Sequence, residues 1–243
     1  MTKIRLQKYL ATCNIGSRRT CETFITMGRI CVDGVVITEL GVKIDPEKEE
    51  VTFDGELMRP DGKKWILLNK PPQYLCTMKD AKNRALFLDL LPNDIGRLYP
   101  VGRLDYMSQG LLLVTNDGNL ANKIAHPRYE IEKTYEVTTT RPINAEHIDK
   151  MRNGIHDKNE LLTIQSISLI KKEEKKNTYR IILKEGRYRH IRRILKSLQI
   201  PIVRLKRTQI GPIVLGNIPL GKWRYLTKNE IELLRSVTSR KQE

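Results

Sequence analysis

The run Tyr99-Pro-Val-Gly-Arg-Leu-Asp-Tyr-Met-Ser-Gln-Gly-Leu-Leu-Leu-Val-Thr-Asn-Asp-Gly118 sets a single acid, Asp105, between Gly102-Arg103 and an unbroken apolar segment that starts at Leu111. A short apolar run bounded by Gly and by Asn-Asp-Gly reads as a buried strand. A carboxylate in the loop that opens such a strand is either a turn former or a group that does chemistry. The residues around it decide between the two.

Outward from this segment, strand-like runs recur at Trp65 to Leu68, Tyr135 to Thr139, Leu161 to Ile170, Tyr179 to Leu183 and Val203 to Leu205, with a hairpin turn at Lys171 to Asn177. The clearest helix is Tyr188 to Gln199: Ile191, Ile194, Leu195 and Leu198 make its apolar face, Arg189, Arg192, Arg193 and Lys196 its basic one, and Pro201 follows. Thr227 with Glu230 forms a capping box for a last helix. Strands outnumber helices, so an α+β domain with a largely antiparallel, mixed sheet is expected over residues 62–243.

The N-terminal residues read differently. Leu6, Tyr9, Leu10 and Cys13 recur at helical spacing, and Ser17 caps a second helix whose stripe is Cys21, Phe24 and Ile25 and whose stop is Gly28. Arg18 and Arg19 occupy its first turn, where the helix dipole disfavours cations, which points to an external anion. Asp33-Gly34 then sits between Ile30 to Val32 and Val35 to Ile37, the signature of a tight hairpin. This predicts a small helix-helix-hairpin domain over residues 1–47. Residues 48–61, rich in Asp and Glu, read as an acidic linker, although Glu50 to Phe53 retains strand character.

Composition narrows the class. With 243 residues, 40% hydrophobic and 30% charged, the chain can bury a core and fill one or two domains. The formal charge is +16, and residues 171–243 carry 20 basic against 6 acidic groups, a field that attracts polyanions, nucleic acid first among them. The runs that are apolar, such as Gly110 to Val114, are far shorter than the ~20 residues of a membrane span, and the start MTKIRLQKYL has no apolar signal segment. A cytoplasmic protein is expected. Cys13, Cys21, Cys31 and Cys76 form no CxxC pair, and His126, His147, His156 and His190 lack ligand spacing, so neither a metal nor a disulfide framework is indicated. There is no GxxxxGK loop, no GxGxxG turn and no HExxH, and Ser108 lacks the Gly of a nucleophile elbow, which argues against nucleotide and serine hydrolysis.

Two resemblances bring these features together. Residues 3 to 45 resemble the S4-type RNA-binding domain through Arg5-Leu6-Gln7-Lys8-Tyr9-Leu10, Gly16-Ser17-Arg18-Arg19 and Gly28-Arg29-Ile30-Cys31-Val32-Asp33-Gly34. That implies Arg18, Arg19 and Arg29 facing an RNA backbone, with Arg5 and Lys8 nearby. Nearly the whole chain resembles the S4-bearing pseudouridine synthases that act on ribosomal RNA. It does so through Gly102, Arg103, Leu104, Asp105, Ser108, Gly110 and Leu111, through Lys133-Thr134-Tyr135, through Glu185-Gly186-Arg187-Tyr188-Arg189-His190-Ile191-Arg192-Arg193, and through Asn69-Lys70-Pro71. Two positions depart from the family pattern: Gln73 stands where Gly is usual, and His190 where Gln commonly precedes the apolar-Arg pair.

The resemblance implies a cofactor-free isomerase that flips a uridine out of ribosomal RNA, free or within a pre-ribosomal particle, and rejoins the base to the ribose through carbon. Asp105 would act on the ribose, as nucleophile or as base, and Arg192 would keep it ionised. Tyr135 would stack on the base and Ile191 would pack against its other side. Arg103 would either fill the vacated stack or pair with a loop carboxylate. Lys70, Arg189, Arg193 and Lys196, with Arg204, Lys206 and Arg207, would contact phosphates. The segment Tyr99 to Gly118 is closer to the members that act on the large subunit. A monomer is expected. The competing class is an RNA-binding ribosome assembly factor that keeps the fold without the activity.

Overall fold

A computed structural model describes residues 3–239. The chain divides into two compact units, Met1–Lys64 with Asn93–Leu98, and Trp65–Pro92 with Tyr99–Glu243.

In the first unit, helices α1 (Leu6–Thr12) and α2 (Arg18–Thr26) pack on a four-stranded sheet. Its strands are β1 (Ile30–Val32), β2 (Val35–Ile37), β3 (Val51–Phe53) and β4 (Glu56–Leu57), in the order β2-β1-β3-β4. Ser17 caps α2 as its type and place predict, its hydroxyl accepting from the Thr20 N–H at 2.9 Å. Asp33 and Gly34 both take positive φ, 49° and 78°, as the two-residue β1–β2 turn requires. Leu6, Leu10, Cys21, Ile25, Ile30, Ile44 and Val51 close the core.

The acidic linker is a correction. Residues 48–61 belong to this unit: β3 pairs antiparallel with β1, Ile30 opposite Phe53 and Val32 opposite Val51, and β4 pairs with β3. The Tyr9 hydroxyl donates to the Met58 carbonyl at 2.8 Å, and the Asp61 N–H donates to that of Thr12 at 3.1 Å. Val51 is buried and Phe53 and Met58 pack against the core, so the alternation of apolar residues outweighs the net charge of the stretch. The domain predicted to end near residue 47 runs on to Lys64.

The second unit is built on a nine-stranded mixed sheet. Its main strands are β5 (Trp65–Lys70), β6 (Gln109–Thr115), β7 (Lys133–Thr139), β8 (Ser166–Lys172), β9 (Asn177–Leu183), β10 (Ile202–Ile210) and β11 (Trp223–Tyr225). They run in the order β8-β9-β7-β10-β6-β5-β11, antiparallel at every junction but β10–β6. Its helices are α3 (Gly118–Ala125), α4 (Ala145–Asn153), α5 (His190–Ser197) and α6 (Lys228–Ser239), of which α3 and α6 cover Trp65, Leu67, Leu111 and Leu113 in one apolar cluster that includes Ile124 and Leu234. The Thr227–Glu230 capping box forms, with Thr227 N–H to the Glu230 carboxylate at 2.9 Å and Glu230 N–H to the Thr227 hydroxyl at 3.2 Å.

Two element boundaries differ from the sequence reading. The single strand expected over Leu161 to Ile170 is two, Glu160–Leu162 paired with Ile155–Asp157, and β8. The helix expected from Tyr188 is α5 (His190–Ser197), because Arg189 takes a left-handed φ of 50° and turns the chain before the helix begins.

The parallel β10–β6 junction fixes the site. The Gly102–Ser108 loop precedes β6 and α5 precedes β10, so parallel strands bring both to one end of the sheet. Gly110 makes the close approach possible: a Cβ there would lie 2.2 Å from the Arg207 carbonyl oxygen, on a backbone with φ of 104°. Gly110→Ala is therefore expected to cost about 3 kcal/mol or more from overpacking and left-handed strain together, a fall of roughly 10 °C in Tm by calorimetry.

Candidate active site

Across four strands the register sets Tyr135 opposite Arg207, Arg207 opposite Gly110, and Gly110 opposite Lys70. Beside this row the Asp105 loop closes on itself through Ser108 N–H to the Asp105 carbonyl at 3.0 Å, and is tied down by Leu104 N–H to the Cys76 Sγ at 3.4 Å. Arg192, in the first turn of α5, reaches into the loop. Its Nε donates to Asp105 Oδ2 at 3.1 Å, and its Nη2 to the Met107 carbonyl and the Ser108 hydroxyl, both at 3.0 Å. One guanidinium thus fixes the carboxylate and the backbone that carries it. Burial lowers the proton affinity of Arg192, while the facing Asp105 charge raises it.

The pair borders a cavity of about 110 Å³ whose lining also includes Tyr135, Ile191, Lys133 and Arg207. That is smaller than the ~300–1,000 Å³ of most small-molecule pockets and fits one flat ring better than a polymer. Tyr135 and Ile191 are buried, 8% and 3% exposed, and give the cavity one aromatic and one aliphatic lining side chain. His190 is buried at the same cavity, and desolvation lowers its proton affinity.

The cations expected at phosphates separate into two groups. Arg5, Arg18, Arg19, Arg103, Arg189, Lys196 and Arg204 are exposed, Lys8 and Lys206 half-buried, and among the described residues no carboxylate pairs with Arg103. Four others correct the sequence reading. Lys70 is fully buried, its Nζ donating to the Pro71 and Tyr74 carbonyls at 2.7 and 2.8 Å, so it braces the following turn. Burial pushes it down to about 8. Arg193 bonds to Asp157 and Glu160 and anchors α5 to the adjacent hairpin. Arg207 is 2% exposed and donates from Nε to the Leu111 carbonyl at 2.8 Å. Arg29 is half committed, bonded to Asp54 and stacked 4.8 and 4.5 Å from the Phe24 and Phe53 rings.

Gln73, the departure from Gly, has φ of 66°, and its N–H donates to the Tyr106 carbonyl at 2.7 Å. The fold accepts the left-handed strain here rather than changing the loop. Ser108 and Lys133, which the sequence offers as motif residues without a role, also line the cavity. Lys133 was legible in principle, because it lies two residues before Tyr135 on one strand and so shares its face.

Residues 64–197 match the RNA pseudouridylate synthase family and residues 4–50 the S4 domain. The chain belongs to the RNA pseudouridine synthase family. It is 38% identical over 235 residues to an uncharacterized RNA pseudouridine synthase of Aquifex aeolicus, covering 96% of this chain and 94% of that protein. To the ribosomal large subunit pseudouridine synthase B of Bacillus subtilis it is 35% identical, covering 96% of each. A crystal structure of a pseudouridylate synthase superposes with a TM-score of 0.67 at 28% identity, covering 95% of this chain and 99% of that one. The synthase is an isomerase acting on RNA, and the α+β architecture of an S4 domain followed by a synthase fold is the one the sequence implies. Among the described residues no helix is long and apolar enough to cross a membrane.

Proposed function

We propose that this synthase converts a uridine of large-subunit ribosomal RNA to pseudouridine, with Asp105 as its catalytic carboxylate. The observation that carries the reading is the Asp105–Arg192 pair in the lining of a cavity of about 110 Å³ that Tyr135 and Ile191 also line. The likeness to the Bacillus subtilis large-subunit enzyme along nearly the whole of both chains supports the choice of RNA.

In this reading the uridine flips into the cavity and lies between Tyr135 and Ile191, with its ribose toward Asp105. The bond from C1′ to N1 breaks, the base turns, and a bond from C1′ to C5 forms. The C5 proton leaves and N1 gains one, so atoms and electrons balance without oxidant, water or cofactor. Asp105 acts on the ribose, either bonding to C1′ until the C1′–C5 bond displaces it or removing the C2′ proton and returning it as that bond forms, and the Arg192 guanidinium supplies the counter-charge beside it. Arg103, exposed beside the cavity, would enter the stack that the base vacates. One chain carries the whole constellation, so the proposed chemistry needs no second copy, and the reading is of a monomer acting in the cytoplasm.

Mass analysis of ribosomal RNA from cells with and without the gene tests the reading. One uridine of the large subunit should lose its pseudouridine in the deletion, and an unchanged modification pattern would overturn the assignment. Turnover on folded RNA should survive a chelator of divalent ions, measured after the RNA fold is verified.

Arg18 and Arg19 are exposed at the start of α2 and are proposed to contact RNA phosphates. Replacing both with Ala in the full chain should weaken RNA binding and reduce the slope of log K against log salt by about 0.7–0.9 for each phosphate that is no longer neutralised. Titrations at several salt concentrations check this, and the rate at saturating enzyme should be unchanged.

A further inference from the structure

The cavity holds more positive charge than the Asp105–Arg192 pair can use. Lys133 and Arg207 both line it, 8% and 2% exposed, and among the described residues neither has a carboxylate partner. Lys133 donates to the Ile131 carbonyl at 2.9 Å, which occupies one of three ammonium protons. Arg207 is held by the Leu111 carbonyl and, at 3.5 Å, the Arg103 carbonyl, while its buried Nη2 finds no acceptor among the described residues. Burying two like charges without an anion costs several kcal/mol each, more than a stable core needs to spend on polar groups. Burial pushes Lys133 down to about 8, with Arg207 adding to the effect, so it still carries its proton near neutral pH.

We propose that Lys133 and Arg207 stabilise the uracil ring as an anion after the glycosidic bond breaks. This rests on the reading of the cavity as the base pocket. When the C1′–N1 bond breaks, its electron pair leaves with the base and spreads over N1, O2 and O4. Two desolvated cations fixed beside the ring meet that charge as it develops and contribute little to binding the neutral uridine. Such stabilisation lowers the barrier because it is stronger in the transition state than in the ground state. The charge also holds the free base in place while it turns to present C5 to C1′. A phosphate is the poorer occupant: the row Tyr135–Arg207–Gly110 lies within the sheet, whereas Arg189 and Lys196 are exposed at the surface where a backbone can pass.

The test uses single-turnover rates at saturating enzyme, with binding titrations on the same ribosomal RNA fragment. Arg207→Gln and Lys133→Met should each slow the reaction roughly 10²-fold, the usual scale for removing one donor to a developing anion, with Kd within about twofold. Lys133→Arg, which keeps the charge, should restore most of the rate. A second substrate carries 5-fluorouridine at the target. Fluorine makes the departing base a more stable anion, and loss of N-linked 5-fluorouridine reports bond breaking alone. The penalty of both variants should shrink about tenfold on it. Equal penalties on the two substrates, or a loss confined to Kd with a smaller salt slope, would overturn the proposal in favour of a structural or phosphate role. Thermal melting identifies any variant that fails to fold, and Lys133→Met then carries the test without Arg207→Gln. If wild-type enzyme forms no pseudouridine, the functional reading fails; if it turns over and the variants keep its rate, only this inference does.

Discussion

Asp105→Ala and Asp105→Asn should each reduce pseudouridine formation by about 10⁴-fold or more while RNA affinity stays within about twofold. The asymmetry follows from how the two properties are built. In the proposed reaction chemistry at the ribose falls to one carboxylate, whereas affinity would be spread over many cations on two units, of which Arg18, Arg19, Arg189 and Lys196 are exposed. Removing a negative charge from a basic surface can only favour a polyanion, so a small gain in affinity is the expected direction. Asp105→Asn keeps an oxygen for the Arg192 Nε bond, now 3.1 Å long, and so preserves the loop while removing the charge. Its inactivity would separate chemistry from architecture. Quantifying pseudouridine by mass spectrometry beside a binding titration checks both halves, and full activity in the Ala variant would remove Asp105 from the mechanism. The same variant decides between enzyme and assembly factor: expressed in place of the wild type, it should leave the target uridine unmodified.

The chain states its site more plainly than its surfaces. Gly102 to Leu111 could be read as a loop feeding a buried strand because glycines, a lone acid and an apolar run have few other uses in that order, and β6 begins within two residues of the expected place. Ser17, Asp33-Gly34 and the Thr227–Glu230 pair were legible for the same reason: caps and tight turns depend on neighbours within four residues. The acidic stretch was misread because β3 is stabilised by β1, some twenty residues earlier, and by a Tyr9 bond that no local pattern encodes. Long-range register also explains the cations. Lys70, Arg193 and Arg207 look like surface groups in a basic sequence. Only the pairing of Arg207 with Gly110 and Tyr135, and of Gly110 with Lys70, shows that two of them lie inside the sheet. The third is held by Asp157 and Glu160, carboxylates more than thirty residues away.

Arg192 offers the sharper test of how that site works, because its three bonds have different needs. The charge opposite Asp105 could come from any cation, but donating at once to Asp105, the Met107 carbonyl and the Ser108 hydroxyl needs a planar fork. Arg192→Ala should therefore lower the single-turnover rate by roughly 10²- to 10³-fold, since it leaves Asp105 without its cation and the loop without its clamp. Arg192→Lys should recover a fraction of that rate by restoring the charge alone. Arg189, one turn-forming residue before the helix and exposed, should behave oppositely: Arg189→Ala should weaken binding a fewfold, less at high salt where the attraction is already screened, and leave the saturated rate near wild type. Stopped reactions at saturating enzyme and titrations at two salt concentrations separate the two residues. A ranking in which Arg192→Ala loses only affinity while Arg189→Ala loses rate would make Arg192 a phosphate contact and remove it from the chemistry at Asp105.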